Sequence, residues 1–368
     1  MELVVRKNDL LKELSLLQGI VERKNTIPIL ANVLLEASSS DVSLLATDLD
    51  VGLRSRCAAT IGKPGTLTLP AKKLFEIVSA LPETDIRIEE DKGGKSVTVA
   101  ADRFESRMQT LPASEFPTPP QDGGPAEAAL PAAALKRMIA HTRFAITSED
   151  TRYFLNGAQL VLRGDSMSMV ATDGHRLAFM SVHESPGKGA KTEVLLPRKT
   201  LNEVARLADD GAAIEFSQGE NHLFFRAEGR LLISRKIDAN FPAYERVIPK
   251  TNDKKIEFDR DRLASAVRRV RLLSNERSKA VKFVIGKDQV EITSSTPEVG
   301  EAREMLPVEY AGTAMQICFN ADYVDNLLGV VESETVQLEF KDEMSQAVMK
   351  PVGGDGYDYT YVIMPMRI

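Results

Sequence analysis

LPAKKLFEIVSALPE (69–83), LPRKTLNEVARLADD (196–210) and FNADYVDNLLGVVES (319–333) recur at a spacing of about 125 residues, roughly one domain length. Each places apolar residues at helical spacing, with Leu74, Leu201 and Val324 at the equivalent point. The same order of elements surrounds all three. Upstream lie LVVRKNDLLKELSLLQGIVERK (3–24), LPAAALKRMIAHTRFAITSED (130–150) and FDRDRLASAVRRVRLLSNERSK (258–279), whose apolar residues also fall near helical spacing. Leu10, Leu11, Leu14 and Leu17 do so in the first, Leu135, Met138 and Ile139 in the second, and Leu263, Val267, Val270 and Leu273 in the third. Between each pair of helices sit two alternating strands: ILANVLLEASSSDVSLLATD, YFLNGAQLVLRGDSMSMVATD and AVKFVIGKDQVEITSST. Each copy closes in a hairpin: IRIEEDKGGKSVTVA, AIEFSQGENHLFFRA and VQLEFKDEMSQAVMK. Pro- and Gly-rich or polar linkers at 113–129 and 240–255 separate the copies. The pattern predicts an α+β chain of three repeated domains, 1–125, 126–253 and 254–368.

Repeated sheets carry open edges at both ends, and pairing those edges in series removes them. Three domains need not complete a circle, so a head-to-tail dimer of six is a natural closure.

The 368 residues carry a formal charge of −6, so a uniformly basic nucleic-acid binder is excluded, although local positive patches are not. There is no apolar run of membrane-spanning length, and MELVVRKNDLLKELSLLQ lacks the continuous apolar core of a secretory leader. Two distant cysteines, Cys57 and Cys318, fit a reducing cytoplasm. The four histidines show no metal-ligand spacing, and no cofactor motif occurs.

The turn ATDGHRLA (171–178) invites a catalytic reading. Asp173 and His175 are too close in sequence for partners that normally converge from separate elements, and no GxSxG elbow supplies a nucleophile. SPGKGAKT (185–192) has Ser185 and Ala190 where a phosphate loop needs glycine. TDLD (47–50) matches TDGH (172–175) by repeat position, so a strand-end turn accounts for both without a metal.

ATDGHRLA, YFLNG (153–157), NFPAYERVIP (240–249), LLSNE (272–276) and the terminal YVIMPMRI (361–368) together closely resemble the bacterial β sliding clamps, the processivity subunits of DNA polymerase III. The resemblance covers essentially the whole chain. It implies a non-catalytic, cytoplasmic, ring-shaped homodimer with helices lining a central channel and sheets outside. Its implied partners are double-stranded DNA bound without sequence preference, the clamp loader, the DNA polymerase III alpha subunit and other proteins carrying a clamp-binding motif; no membrane is involved. Twelve lining helices, each on the order of 10 Å wide, set their axes on a circle roughly 38 Å across and leave a hole of about 28 Å. A duplex on the order of 20 Å thick passes through it with a layer of water.

The resemblance also implies site residues. Lys24, Lys72, Arg152 and Tyr153 are implied DNA contacts; the family often carries Arg where Lys24 stands, which keeps the charge but not the fork. Leu155, Thr172, Gly174, His175, Arg176 and Leu177 are implied to receive a partner peptide, joined by Pro242, Arg246 and Val247 from the linker. Asn320, Tyr323, Val362, Met364, Pro365, Met366 and Arg367 complete that groove. Methionine repacks around different ligands, and glycine lets a backbone approach closely. Ser278 stands where relatives carry a larger side chain at the groove rim, which bears on peptide preference. Leu272 and Leu273 are implied to wedge the dimer contact, with Arg103 and Arg107 facing Glu298, Glu301 and Glu304. A DNA-independent peptide scaffold and a hydrolase using His175 and Asp173 are the competing readings.

Overall fold

A computed structural model of the chain describes residues 1–21, 26–120, 124–147, 151–187, 191–209, 211–353 and 356–367. Six α-helices occur among them: α1 Lys7–Leu17, α2 Ala71–Ala80, α3 Ala132–Thr142, α4 Arg198–Leu207, α5 Arg260–Val270 and α6 Ala321–Leu328. Each buries one stripe. Leu10, Leu14 and Leu17 do so in α1, Leu74 and Val78 in α2, and Leu263, Ala266, Val267 and Val270 in α5. Side-chain caps start the last two. Asp259 accepts the Arg262 N–H at 2.8 Å, and Asn320 accepts the Asp322 N–H at 2.9 Å.

Three features of the repeat differ from the sequence expectation. Between the two helices of each copy lie not two strands but more: Val51–Ala58, Thr60–Lys63 and Gly65–Pro70 follow the first pair in one copy, Arg176–Val182 and Thr192–Pro197 in the next, and Gly300–Pro307 and Met315–Asn320 in the last. The stretches opening each copy are not helical from the start: the strands Glu2–Arg6, Ala128–Pro131 and Lys254–Asp259 precede α1, α3 and α5. In ELVVR alternate side chains are buried, a period of two that outweighs the helical spacing of the leucines beyond. Leu273 likewise falls outside α5, in the 3-10 turn Arg271–Leu273. The terminal hairpins, moreover, each gain a third strand: Phe104–Gln109, Arg230–Arg235 and Tyr357–Ile363. In the first two copies a two-residue turn makes the join, between Ala101 and Phe104 and between Ala227 and Arg230. Asp102, Glu228 and Gly229 take positive φ there, as such turns require.

These third strands join the repeats. Arg230–Arg235 of the second copy pairs with Val51–Ala58 of the first, so eight antiparallel strands from two repeats form one sheet. Tyr357–Ile363 of the third pairs with Arg176–Val182 of the second, giving another sheet of eight. A five-stranded and a four-stranded sheet remain, ending at Phe104–Gln109 and Gly300–Pro307 respectively. The compact units follow the shared sheets, not the repeats: Met1–Leu135 with Lys199–Lys236, and Lys136–Arg198 with Ile237–Ile368. Repetition and packing therefore cut the chain differently.

Candidate functional site

The ATDGHRLA turn lies in the second unit, between the strands Ser166–Thr172 and Arg176–Val182. It is built from its own side chains. One oxygen of Asp173 accepts the N–H groups of His175 at 2.9 Å and Arg176 at 3.0 Å. The other accepts Arg176 Nε at 2.9 Å. Thr172 Oγ1 donates to the Arg176 carbonyl at 2.6 Å and accepts the Gly174 N–H at 3.1 Å. Both carboxylate oxygens are thus spent on holding the turn, which leaves Asp173 no oxygen dedicated to orienting an imidazole. TDLD reproduces the arrangement in the first unit: Asp48 accepts the N–H groups of Asp50 at 2.9 Å and Val51 at 2.6 Å. Leu49 has φ +82° where Gly174 has +86°.

Arg176 is a strut. Its guanidinium donates to Asn326 Oδ1 at 2.8 Å and to the Phe144 carbonyl, and lies 4.2 Å from the centroid of the Tyr323 ring. With Nε on Asp173 as well, little of its fork is left for a ligand. Tyr361 donates its hydroxyl to the Tyr323 carbonyl at 3.0 Å, fixing the start of α6 from below. The backbone ties the C-terminal segment to the same place: Met364 N–H donates to the His175 carbonyl at 2.9 Å and Met366 N–H to the Cys318 carbonyl at 2.8 Å.

The site residues inferred from sequence fall into layers within this unit. Leu155, Thr172, Leu177 and Val362 are buried, and Leu177 and Val362 share an apolar cluster with Val170 and Val348. Asn320, Arg176, Tyr323, Pro365 and Met366 are half-buried. Gly174, His175, Pro242, Arg246, Val247, Met364 and Arg367 are exposed, Val247 and Met364 as apolar side chains. Asn320 spends its carboxamide oxygen on the α6 cap, so only its NH2 is available. Phe179, Phe241, Tyr244 and Ile248 pack against the same cluster and were not singled out from the sequence. The FP step at 241–242 was the available signal.

Arg152 and Tyr153 stand beside the turn. A Cβ on Gly174 would come within 3.3 Å of the Arg152 guanidinium, and Tyr153 is 73% exposed. Lys72, in the first unit, projects from α2, and its Nζ lies 3.9 Å from a Glu76 carboxylate oxygen. Lys24 lies outside the described residues. On the edge strands, Arg107 pairs with Asp91 at 2.5 Å, and Glu304 takes a bidentate pair from Arg269 at 2.8 and 2.6 Å. Arg103, Glu298 and Glu301 are exposed, and Leu272 is 76% exposed beside half-buried Leu273. Phe104 and Met305 add exposed apolar surface to the same two edges.

Profiles of the DNA polymerase III beta subunit match the chain in series: its N-terminal domain at 1–120, central domain at 129–243 and C-terminal domain at 245–367. The chain belongs to the DNA polymerase III beta subunit family. It is a sliding clamp, a non-catalytic processivity subunit acting in DNA replication. The beta sliding clamp of Pseudomonas putida is 37% identical and that of Escherichia coli 34%, each aligned over all of both chains. The crystal structure of the DNA polymerase III subunit beta from Pseudomonas aeruginosa superposes with a TM-score of 0.92 at 35% identity, covering both chains fully. A second structure of that clamp, bound to griselimycin, also gives a TM-score of 0.92, at 36% identity and full coverage. No helix among the clamp's described residues is long and apolar enough to cross a membrane.

Proposed function

We propose that two copies of this chain close head to tail into a ring of six repeats that encircles duplex DNA. The carrying observation is a pattern of strand pairing. Within the chain, the last strand of one repeat twice pairs with a strand of its neighbour. Phe104–Gln109 and Gly300–Pro307 are the two equivalent strands left with a free side. Joining them between chains repeats the internal rule and removes both raw edges.

The internal ladders also give a register. In the first repeat Asn32 faces Pro70, the residue before α2; Leu34 faces Leu45, and Leu45 faces Arg54. In the third, Ala280 faces Asn320, the residue before α6; Lys282 faces Thr293, and Thr293 faces Arg303. Arg303 therefore stands where Arg54 stands. The matching two-residue turns place Glu105 where Leu231 stands. Because Arg54 faces Leu231, Arg303 of one chain faces Glu105 of the other, and Arg107 faces Glu301. Two opposite-charge pairs then lie across one side of the joint, with Phe104 and Met108 on the other side. A wrong register would lose this match.

In this reading the exposed Lys72, Arg152 and Tyr153 meet phosphates and sugar as exchangeable contacts, as sliding requires. The groove around ATDGHRLA takes a short peptide from the DNA polymerase III alpha subunit and from other clamp-binding proteins, and the clamp loader opens the ring. The buried Leu155, Leu177 and Val362 form its floor, Val247, Met364 and Met366 its adaptable wall, and His175, Arg246 and the Asn320 amide its donors. Loading onto nicked plasmid tests encirclement: protein should stay on circles through gel filtration and fall off after linearisation. Equal retention on both forms sinks the ring and leaves a DNA-binding scaffold.

A further inference from the structure

The first unit carries an unfilled copy of a packing arrangement that the second unit fills. In the second unit the linker lies on the apolar cluster near the groove, and Phe179 stacks on Tyr244 with centroids 5.6 Å apart. SEFPTPP (114–120) lines up with ANFPAYE (239–245), so Phe116 matches Phe241 and Pro119 matches Tyr244. The strand ladders match as well. Leu45 and Arg54 face each other as Val170 and Phe179 do, each pair the same number of residues from its Asp turn. Phe116 accordingly packs with Ile29, Leu30 and Leu45.

The aromatic pair, however, has been replaced on both sides. Arg54 stands for Phe179 and Pro119 for Tyr244, and a cavity of about 220 Å³ remains, its apolar lining from Leu34, Leu45, Phe116, Pro117 and Pro119 and its polar lining from Ser43, Thr118, Glu36 and Arg54. That is below the roughly 300–1,000 Å³ of small-molecule sites and suits one side chain. Close packing is the rule, so a hollow of mixed polar and apolar lining that the twin fills with its own ring is a place prepared for another. Arg54, and Arg56 on the same face, have no hydrogen-bond or ion-pair partner among the described residues. Both line the adjoining hollow, which also holds Arg226, Arg230, Glu215 and Glu228. Glu36 also lines the cavity, from the strand on the other side of Asp41–Thr47 from the one that carries Arg54.

We propose that this cavity is a docking socket for the aromatic side chain of an extended partner peptide, with a carboxylate beside that ring paired to Arg54. The ring takes the place that Tyr244 holds in the twin, and the guanidinium takes both the ring's face and the carboxylate. The socket is separate from the groove around ATDGHRLA and does not depend on it.

The test uses the full-length protein and a fluorescein-labelled heptapeptide with a central phenylalanine preceded by aspartates, followed by anisotropy. Saturable binding is expected, lost when the phenylalanine becomes alanine and weakened when the aspartates become lysines. Arg54→Phe/Pro119→Tyr rebuilds the twin's plug; it should weaken binding at least about tenfold while raising the melting temperature. Arg54→Gln, a milder change, should weaken the aspartate peptide and leave the lysine peptide unaffected. No saturable binding to the unmodified protein overturns the proposal, as does binding that survives the plug. A plug that instead lowers self-association, with no peptide bound, assigns the cavity to a second copy and also overturns it.

Discussion

Gly174 takes the left-handed conformation that Leu49 also takes at the equivalent turn, so a side chain there is costly but not forbidden. Its φ of +86° disfavours any side chain by about 1–2 kcal/mol, and a Cβ would press on Arg152 at 3.3 Å. Gly174→Val is expected to weaken a groove-binding peptide more than tenfold, roughly 1.4 kcal/mol or more, with the dimer intact. Calorimetric titration checks it; unchanged affinity would remove the turn from the groove. Elsewhere, Glu13 of α1 and Arg230 form a bidentate pair at 2.9 and 2.7 Å, both side chains nearly inaccessible. Breaking one partner strands a buried charge, so Glu13→Ala should lose about 3–5 kcal/mol in denaturant melts. Glu13→Leu/Arg230→Met should recover most of that. If the double change is as damaging as the single one, packing rather than charge holds the contact.

At the scale of elements, the repeat's helices and first hairpins were legible because apolar spacing and turn residues encode them locally. Leu74, Leu201 and Val324 occupy equivalent buried points on α2, α4 and α6. The third strand of each terminal hairpin was not read. FESRMQ is polar on most positions and so lacks the apolar alternation that marks a strand, and YDYTYVI follows a long connection that masks the hairpin. Those unread strands carry the joins, so the register between repeats stayed out of reach until the ladders were visible. The groove was legible as residues but not as roles: nothing in TDGHR distinguishes a donor offered to a ligand from one spent on Asn326 and the Phe144 carbonyl. The inferred register makes its own prediction. Arg107→Glu should shift sedimentation toward monomer, and Arg107→Glu/Glu301→Arg should restore dimer. Arg107→Glu/Glu298→Arg should not. Rescue by the second combination instead would place the strands in another register.

For the whole molecule, acid stability has a defined weak point. His141 is buried against Tyr357 and Tyr359; its Nδ1 meets the Arg137 carbonyl at 2.9 Å and its Nε2 has no partner among the described residues. Burial lowers its basicity, while the Arg137 carbonyl opposes the shift. The unfolded chain, with an imidazole near pKa 6.5, therefore takes up the proton first. Stability from the neutral ring is whole above that value and is lost as pH falls through the lower folded value. Urea melts at pH 7.5 and pH 5 should separate more for the native protein than for His141→Gln. Equal pH dependence in both would assign the acid sensitivity to carboxylates.

The sharing of sheets between neighbouring repeats limits how the chain can be shortened. Excising the middle copy at its linkers would tear main-chain ladders on both flanks and bare hydrophobic strands on every fragment. Genetic truncation one copy at a time is therefore a recipe for inclusion bodies. A dissection that follows the joined ladders, even though it gathers sequence from distant places, is the one that would leave soluble pieces.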